Sequence, residues 1–91
     1  MQSNFLLGTL RITEAAKFSL KRIPYDLIAR HAVGEHGELT HRETRRNQMS
    51  MNTIGEIVSR YCIDPTDLSR GYVTITTHAT WDETLVKLDT E

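Results

Sequence analysis

The sequence predicts a single small α+β domain spanning residues 1–91, a mostly antiparallel sheet of about four strands with two to three helices packed on one face. Two observations carry that prediction. Apolar residues in the first half recur with the period of a helix, whereas from residue 54 onward they alternate with the period of a strand. Turn-forming residues then cut the chain into short pieces, leaving the order strand, helices, and three strands in a meander. The direction of the first strand is left open by this order.

Residues 5–12 hold Phe5, Leu7, Leu10 and Ile12 around Gly8, a first strand with a bulge at the glycine. Thr13 precedes Glu14 and a stripe of Ala16, Leu20 and Ile23, so it reads as a helix N-cap with an acid in the first turn. Ile23-Pro24 ends that helix, because a proline ring disfavours the α conformation of the residue before it. Pro24 suits the first turn of a second helix that stops at Gly34, with Leu27, Ile28, His31 and Ala32 on its inner face. Thr40 and Glu43 have the spacing of a capping box, and the helix they open extends to roughly Met49.

Further on, Ile57, Ser59, Tyr61 and Ile63 alternate with Val58, Arg60 and Cys62, the pattern of a half-buried strand. Asp64-Pro65-Thr66-Asp67 begins a hairpin-sized connection ending at Gly71. Residues 72–77, YVTITT, form the strongest strand by β-propensity. A turn over residues 78–82 leads to a last strand over residues 84–88. There is no internal repeat, low-complexity run or linker.

Composition bounds the function. With 38% hydrophobic and 25% charged residues, the chain reads as an ordinary globular protein rather than a disordered one. A net charge of −1, from 11 basic and 12 acidic residues, excludes a DNA mimic and nucleic-acid binding driven by overall charge. A local basic patch stays open. The single cysteine, Cys62, cannot close an internal disulfide, which suits a reducing cytoplasm. The first residues lack a basic n-region, and no run approaches the ~18 apolar residues of a membrane span. A cytoplasmic protein is expected, with no membrane attachment, no cofactor and an open oligomeric state.

The densest polar stretch is residues 27–39, LIARHAVGEHGEL, followed by a helix start rich in arginine. His31, Glu35, His36, Glu38 and His41 could supply metal ligands, but Gly34 breaks the helix between His31 and Glu35. No HExxH motif or cysteine pair accompanies them, so no metal is expected. His31, on an apolar helix face, reads instead as a buried neutral imidazole bonded to a loop carbonyl. Arg30 and Glu38 are expected to pair across the same turn. Ser59, Tyr61 and Cys62 on their strand, with His78 nearby, lack any nucleophile signature, so enzyme status leans to no. Cys62 reads as a packed thiol.

Arg42, Arg45 and Arg46, with His41 beside them, share one helical face. They could contact phosphates, although Glu38 and Glu43 dilute their field and no aromatic platform accompanies them. A solvated face is the simpler reading. Trp81, the only tryptophan, is balanced between capping the sheet and anchoring a partner.

The run Leu27-x-x-Arg30-His31-x-x-Gly34-Glu35-x-Gly37-Glu38-Leu39 resembles the signature L-x-R-H-x-x-G-D-W-G-E-L of a family of small bacterial proteins often described as plasmid-related. Such proteins occur on plasmids, phages and integrative elements. The family's helix asparagine corresponds to Asn47, its serine–aromatic strand to Ser59 and Tyr61, and its I-T strand to Ile75 and Thr76. Here Glu35 replaces the aspartate, His36 replaces the tryptophan, and the run at residues 77–82 is altered and one residue longer. The resemblance implies a mobile-element origin and adds Asn47 to a structural polar cluster with Arg30, His31 and Glu38.

The expected function is a non-enzymatic accessory protein of a mobile element. It would bind a host protein, such as a defence or regulatory complex, through Arg42, Arg45, Arg46 and Trp81. An alternative is a small nucleic-acid-binding protein using the arginine face. A weaker one is a metal-dependent hydrolase at His31 and His36.

Overall fold

The computed structural model describes residues 5–53 and 55–91. Its elements follow the order β1 (Thr9–Ile12), α1 (Glu14–Leu20), α2 (Tyr25–Ala32), α3 (His41–Thr53), β2 (Ile57–Cys62), β3 (Tyr72–Thr77) and β4 (Glu83–Leu88), with a 3-10 turn at Leu68–Arg70. The four strands form one mixed sheet in the order β1-β4-β3-β2. β2, β3 and β4 are the expected antiparallel meander, and β1 adds to β4 in parallel. The α+β class is as the sequence predicts, and the direction of the first strand is now fixed.

One face of the sheet is the core. The register sets Ile57 opposite Thr77, Ser59 opposite Ile75 and Tyr61 opposite Val73, with Val86 beside Ile75 on the next strand. Because side chains alternate along a strand, these residues face the same way. Tyr61, Val73, Ile75 and Val86 among them meet Ala16 of α1 and Leu27 and Ile28 of α2 in one apolar cluster. The opposite face carries Arg60, Thr74, Thr76, Leu85 and Lys87 and is left open. α1 packs on β4 and α2 on β2, whereas α3 runs against β2, the outer strand.

Local signals account for most boundaries. Thr13 Oγ1 accepts from Ala16 N at 3.1 Å and caps α1. Thr40 and Glu43 close their capping box in both directions, at 2.9 and 3.1 Å. α2 stops where Gly34 takes φ +87°.

Several expectations need correcting. The first strand begins only at Thr9, after Gly8, rather than at Phe5. Gly8 adopts φ +66° against the Asp82 backbone, where any Cβ would overlap the chain, so it turns the backbone instead of bulging a strand. Ile23 is exposed, because α1 ends at Leu20 and Lys21 takes the left-handed conformation. α3 runs to Thr53, one turn beyond Met49, with Ser50 buried beneath Gly55. Cys62 is half-buried on the outer sheet face and not packed in the core. Ile54, where the change of period was placed, lies outside the described residues, as do residues 1–4.

Candidate functional site

The polar residues of the signature stretch converge on the outer edge of β2. An unpaired strand edge presents free N–H and C=O groups that invite aggregation. Here Asn47 of α3 satisfies Val58 in both directions, accepting from its N–H at 3.0 Å and donating to its carbonyl at 2.7 Å. One residue pair further on, the Arg60 N–H donates to the His36 carbonyl and the Arg60 carbonyl accepts from the Glu38 N–H. The side-chain amide and the loop at residues 36–38 thus stand in for a missing strand. Gly37 makes this approach possible: at φ +74°, a Cβ there would overlap the Arg60 carbonyl.

Arg60 then ties the edge together. Its guanidinium forms a two-pronged pair with Glu43, at 3.0 and 3.1 Å, and also reaches Asp89 at 3.2 Å. These hydrogen bonds hold the Glu43 carboxyl down at about 2. Tyr61 donates its hydroxyl to the Glu35 carbonyl at 2.6 Å, and Arg30 lies over the Tyr61 ring, 4.7 Å from its centre. Arg30 pairs loosely with Glu35, at 3.9 Å, where the sequence suggested Glu38. Glu38 contributes its backbone to Arg60 instead, accepting from the guanidinium at 3.2 Å.

Behind this edge lies a buried chain of polar side chains. His31 is fully buried, as expected, but its nitrogens meet strand hydroxyls and not a loop carbonyl. Nδ1 lies 2.5 Å from Ser59 Oγ and Nε2 lies 2.8 Å from Thr77 Oγ1. Thr77 Oγ1 continues to Thr84 Oγ1 at 2.8 Å, and Thr84 donates to the Leu7 carbonyl at 2.6 Å. At the other end, His36 Nδ1 lies 2.7 Å from the same Ser59 hydroxyl. Burial drives the His31 pKa down to about 3, with the neighbouring His36 adding to the effect, and burial lowers His36 as well. Both rings are neutral at pH 7.

Neutrality fixes every proton in the chain. A carbonyl only accepts, so the single proton of Thr84 goes to Leu7. Thr77 must therefore donate to Thr84 and accept from His31 Nε2–H. That leaves His31 Nδ1 as an acceptor, which takes the Ser59 proton. Ser59 in turn accepts from His36 Nδ1–H, so the lone pair of His36 sits on Nε2. That atom is buried and has no hydrogen-bond partner among the described residues. Such an orphan acceptor costs about 1–3 kcal/mol.

A serine between two histidines suggests a nucleophile, but Ser59 is 0% exposed and no carbonyl can reach it. Nor do His31 and His36 converge as ligands, since both turn to one hydroxyl. Among the described residues no cluster of three or more His, Cys, Asp and Glu side chains could hold a metal ion. No helix among them is long and apolar enough to cross a membrane.

Arg42, Arg45 and Arg46 are exposed on the outer side of α3 and make no ion pair among the described residues. With His41 and Met49 they line an open groove of about 780 Å³. Of the two residues expected to dilute their charge, Glu38 and Glu43, Glu43 is turned to Arg60. Trp81 lies elsewhere, half-buried: its indole N–H donates to the Gly55 carbonyl at 2.9 Å, and its ring meets Phe5, which in turn packs edge-on against His31. Trp81 is thus linked through Phe5 to the buried His31 ring.

The hydroxyls of Thr77 and Thr84 were not singled out from the sequence. Their signal was present as polar residues at inward positions of otherwise apolar strands, opposite a histidine on an apolar helix face. Fold and site together define a small α+β domain with a sealed sheet edge and a neutral buried polar chain. Comparison with protein-family models, curated proteins and solved structures finds no match.

Proposed function

We propose that this is a non-enzymatic binding protein that docks an acidic protein partner on the outer face of α3. The observation that carries the reading is the set of three exposed arginines, Arg42, Arg45 and Arg46, running beside Met49, which is 69% exposed. Cations around an exposed apolar side chain match a protein surface that offers carboxylates and one apolar contact. The groove holds no Phe, Tyr or Trp on which bases would stack. The resemblance to proteins of plasmids and phages supports a partner in the host cell.

Photo-crosslinking from position 49 in a nuclease-treated bacterial lysate tests the proposal. The expected product is a crosslinked peptide rich in Asp and Glu that disappears with Arg45→Glu/Arg46→Glu. Submicromolar binding of duplex DNA at physiological salt, falling with a salt slope near −2.7 for about three phosphate contacts, would replace this reading with a nucleic-acid one.

A further inference from the structure

We propose that the end of the β2 edge, at Cys62, binds the C-terminal residue of a peptide, pairing with its main chain and holding its carboxylate with Arg30.

The seal on this edge stops one rung short. Backbone groups of successive residues in an antiparallel strand point to alternate sides. Ile63 donates its N–H to the Gly71 carbonyl, on the β3 side. Tyr72, which stands opposite Cys62, gives its carbonyl to Asp89 on the side away from β2. Cys62 therefore turns its N–H and C=O outward, as Val58 and Arg60 do. Asn47 satisfies Val58 and residues 36–38 satisfy Arg60, but neither backbone group of Cys62 has a partner among the described residues.

The loop shows why. It runs parallel to β2 at Gly37, so the next rung would bring the Glu38 carbonyl and the Thr40 N–H to Cys62. Both are engaged elsewhere. The Glu38 carbonyl accepts from the Arg60 guanidinium, and the Thr40 N–H goes to Glu43 in the capping box of α3.

An open cavity of about 270 Å³ lies at this rung. Gly37 and Glu38, which stand against the edge at the preceding rung, line it together with Cys62. Arg60 and Tyr61, whose side chains leave opposite faces of the sheet, line it too. A cavity bounded in this way sits beside the strand edge and not over one face.

Three features specify the ligand. Outward N–H and C=O groups on one strand residue match the C=O and N–H of an extended main chain. The loop at residues 36–38 blocks any strand running past Cys62 along β2, so the ligand ends there. Charge decides which end it presents. Arg30 lies over the Tyr61 ring and is only loosely paired with Glu35, at 3.9 Å, which leaves its guanidinium free to take a carboxylate. The other cation of the cavity, Arg60, is committed to Glu43 and Asp89, and the acid, Glu38, accepts from the Tyr72 hydroxyl. A peptide antiparallel to β2 brings its C-terminus to the loop beside Arg30. The volume, below the roughly 300–1,000 Å³ of ordinary drug-sized sites, takes a single residue. Pro65 and the exposed Leu68 offer its side chain an apolar wall.

Proton–nitrogen NMR of the intact protein titrated with N-acetyl-leucine tests this. The amides of Cys62, Gly37 and Glu38 should shift saturably. N-acetyl-leucinamide, which lacks the carboxylate, should bind at least about tenfold more weakly, the worth of one charge-assisted hydrogen bond. N-acetyl-N-methylleucine, which cannot donate to the Cys62 carbonyl, should lose at least about threefold. Arg30→Gln should bind the acid and the amide alike while still preferring the ligand with an N–H. No saturable shift at Cys62, equal binding of acid and amide by the native protein, or indifference to N-methylation would each overturn the proposal. The ligand-side comparisons need no folded variant, and none of these readouts involves the arginine groove.

Discussion

His31 should make the domain sensitive to mild acid, through a group that never reaches solvent. Its pKa is 6.5 when unperturbed and is brought down to about 3 in the fold by burial and by His36. Above pH 6.5 the ring is neutral in both folded and unfolded chains, and proton binding contributes nothing. As pH falls from 6.5 toward 3, the unfolded chain takes up a proton that the folded one refuses, so stability is lost across that window. The slope is about 1.4 kcal/mol for each tenfold rise in proton activity. Between pH 7 and pH 5 the loss from His31 is then about 2 kcal/mol. With a urea m-value of about 1 kcal/mol/M for a chain this size, the midpoint should fall by about 2 M. His36, lowered by the same cause, adds to the drop. Glu43 does not confuse the result, since its stabilisation is lost only as pH falls from 4.5 to about 2. Urea denaturation followed by circular dichroism at pH 7 and pH 5 measures the effect. His31→Gln, which can keep hydrogen bonds without titrating, should flatten most of it. An unchanged midpoint in the native protein, or an undiminished pH difference in His31→Gln, would refute the idea that the fold holds His31 neutral.

Four further outcomes follow from the geometry. Asn47→Ala strands both backbone groups of Val58 and should cost about 2–3 kcal/mol in urea melts, with concentration-dependent aggregation through the freed β2 edge. Gly37→Ala and Gly71→Ala both place a side chain at positive φ, but only at Gly37 does the Cβ meet backbone, whereas Gly71 has open space. Thermal melts should therefore show a loss of about 1–3 kcal/mol at Gly71, from backbone strain alone, and clearly more at Gly37. Ser59→Ala removes the shared hydroxyl of both histidines and should destabilise by about 1–3 kcal/mol, whereas Cys62→Ser, on the outer sheet face, should change stability by less than about 1 kcal/mol. Arg45→Glu/Arg46→Glu should leave the stability from urea melts within about 0.5 kcal/mol of native while abolishing the crosslink from position 49.

The order of the elements and several of their caps were legible in the sequence, although the ends of β1, α1 and α3 were not. Thr13, the Thr40–Glu43 box and Gly34 act within one turn of helix, and the alternation from Ile57 to Cys62 says which residues face inward, so local chemistry was enough to read them. It also marked His31 as buried, since a histidine on an apolar helix face has few other places to go. Tertiary structure alone decided where its nitrogens went. Ser59 is 28 residues away and Thr77 is 46, and whether strand hydroxyls or a loop carbonyl meet the ring depends on how α2 sits on the sheet. The same holds for β1, whose parallel pairing with β4 joins residues more than 70 positions apart. It holds again for Glu43, which looked like a charge diluting the arginine face until the fold brought Arg60 against it. Short-range signals set local conformation because they act through neighbouring backbone groups. Partner choice among buried polar groups is set by packing, where only the assembled core determines which donor can reach which acceptor.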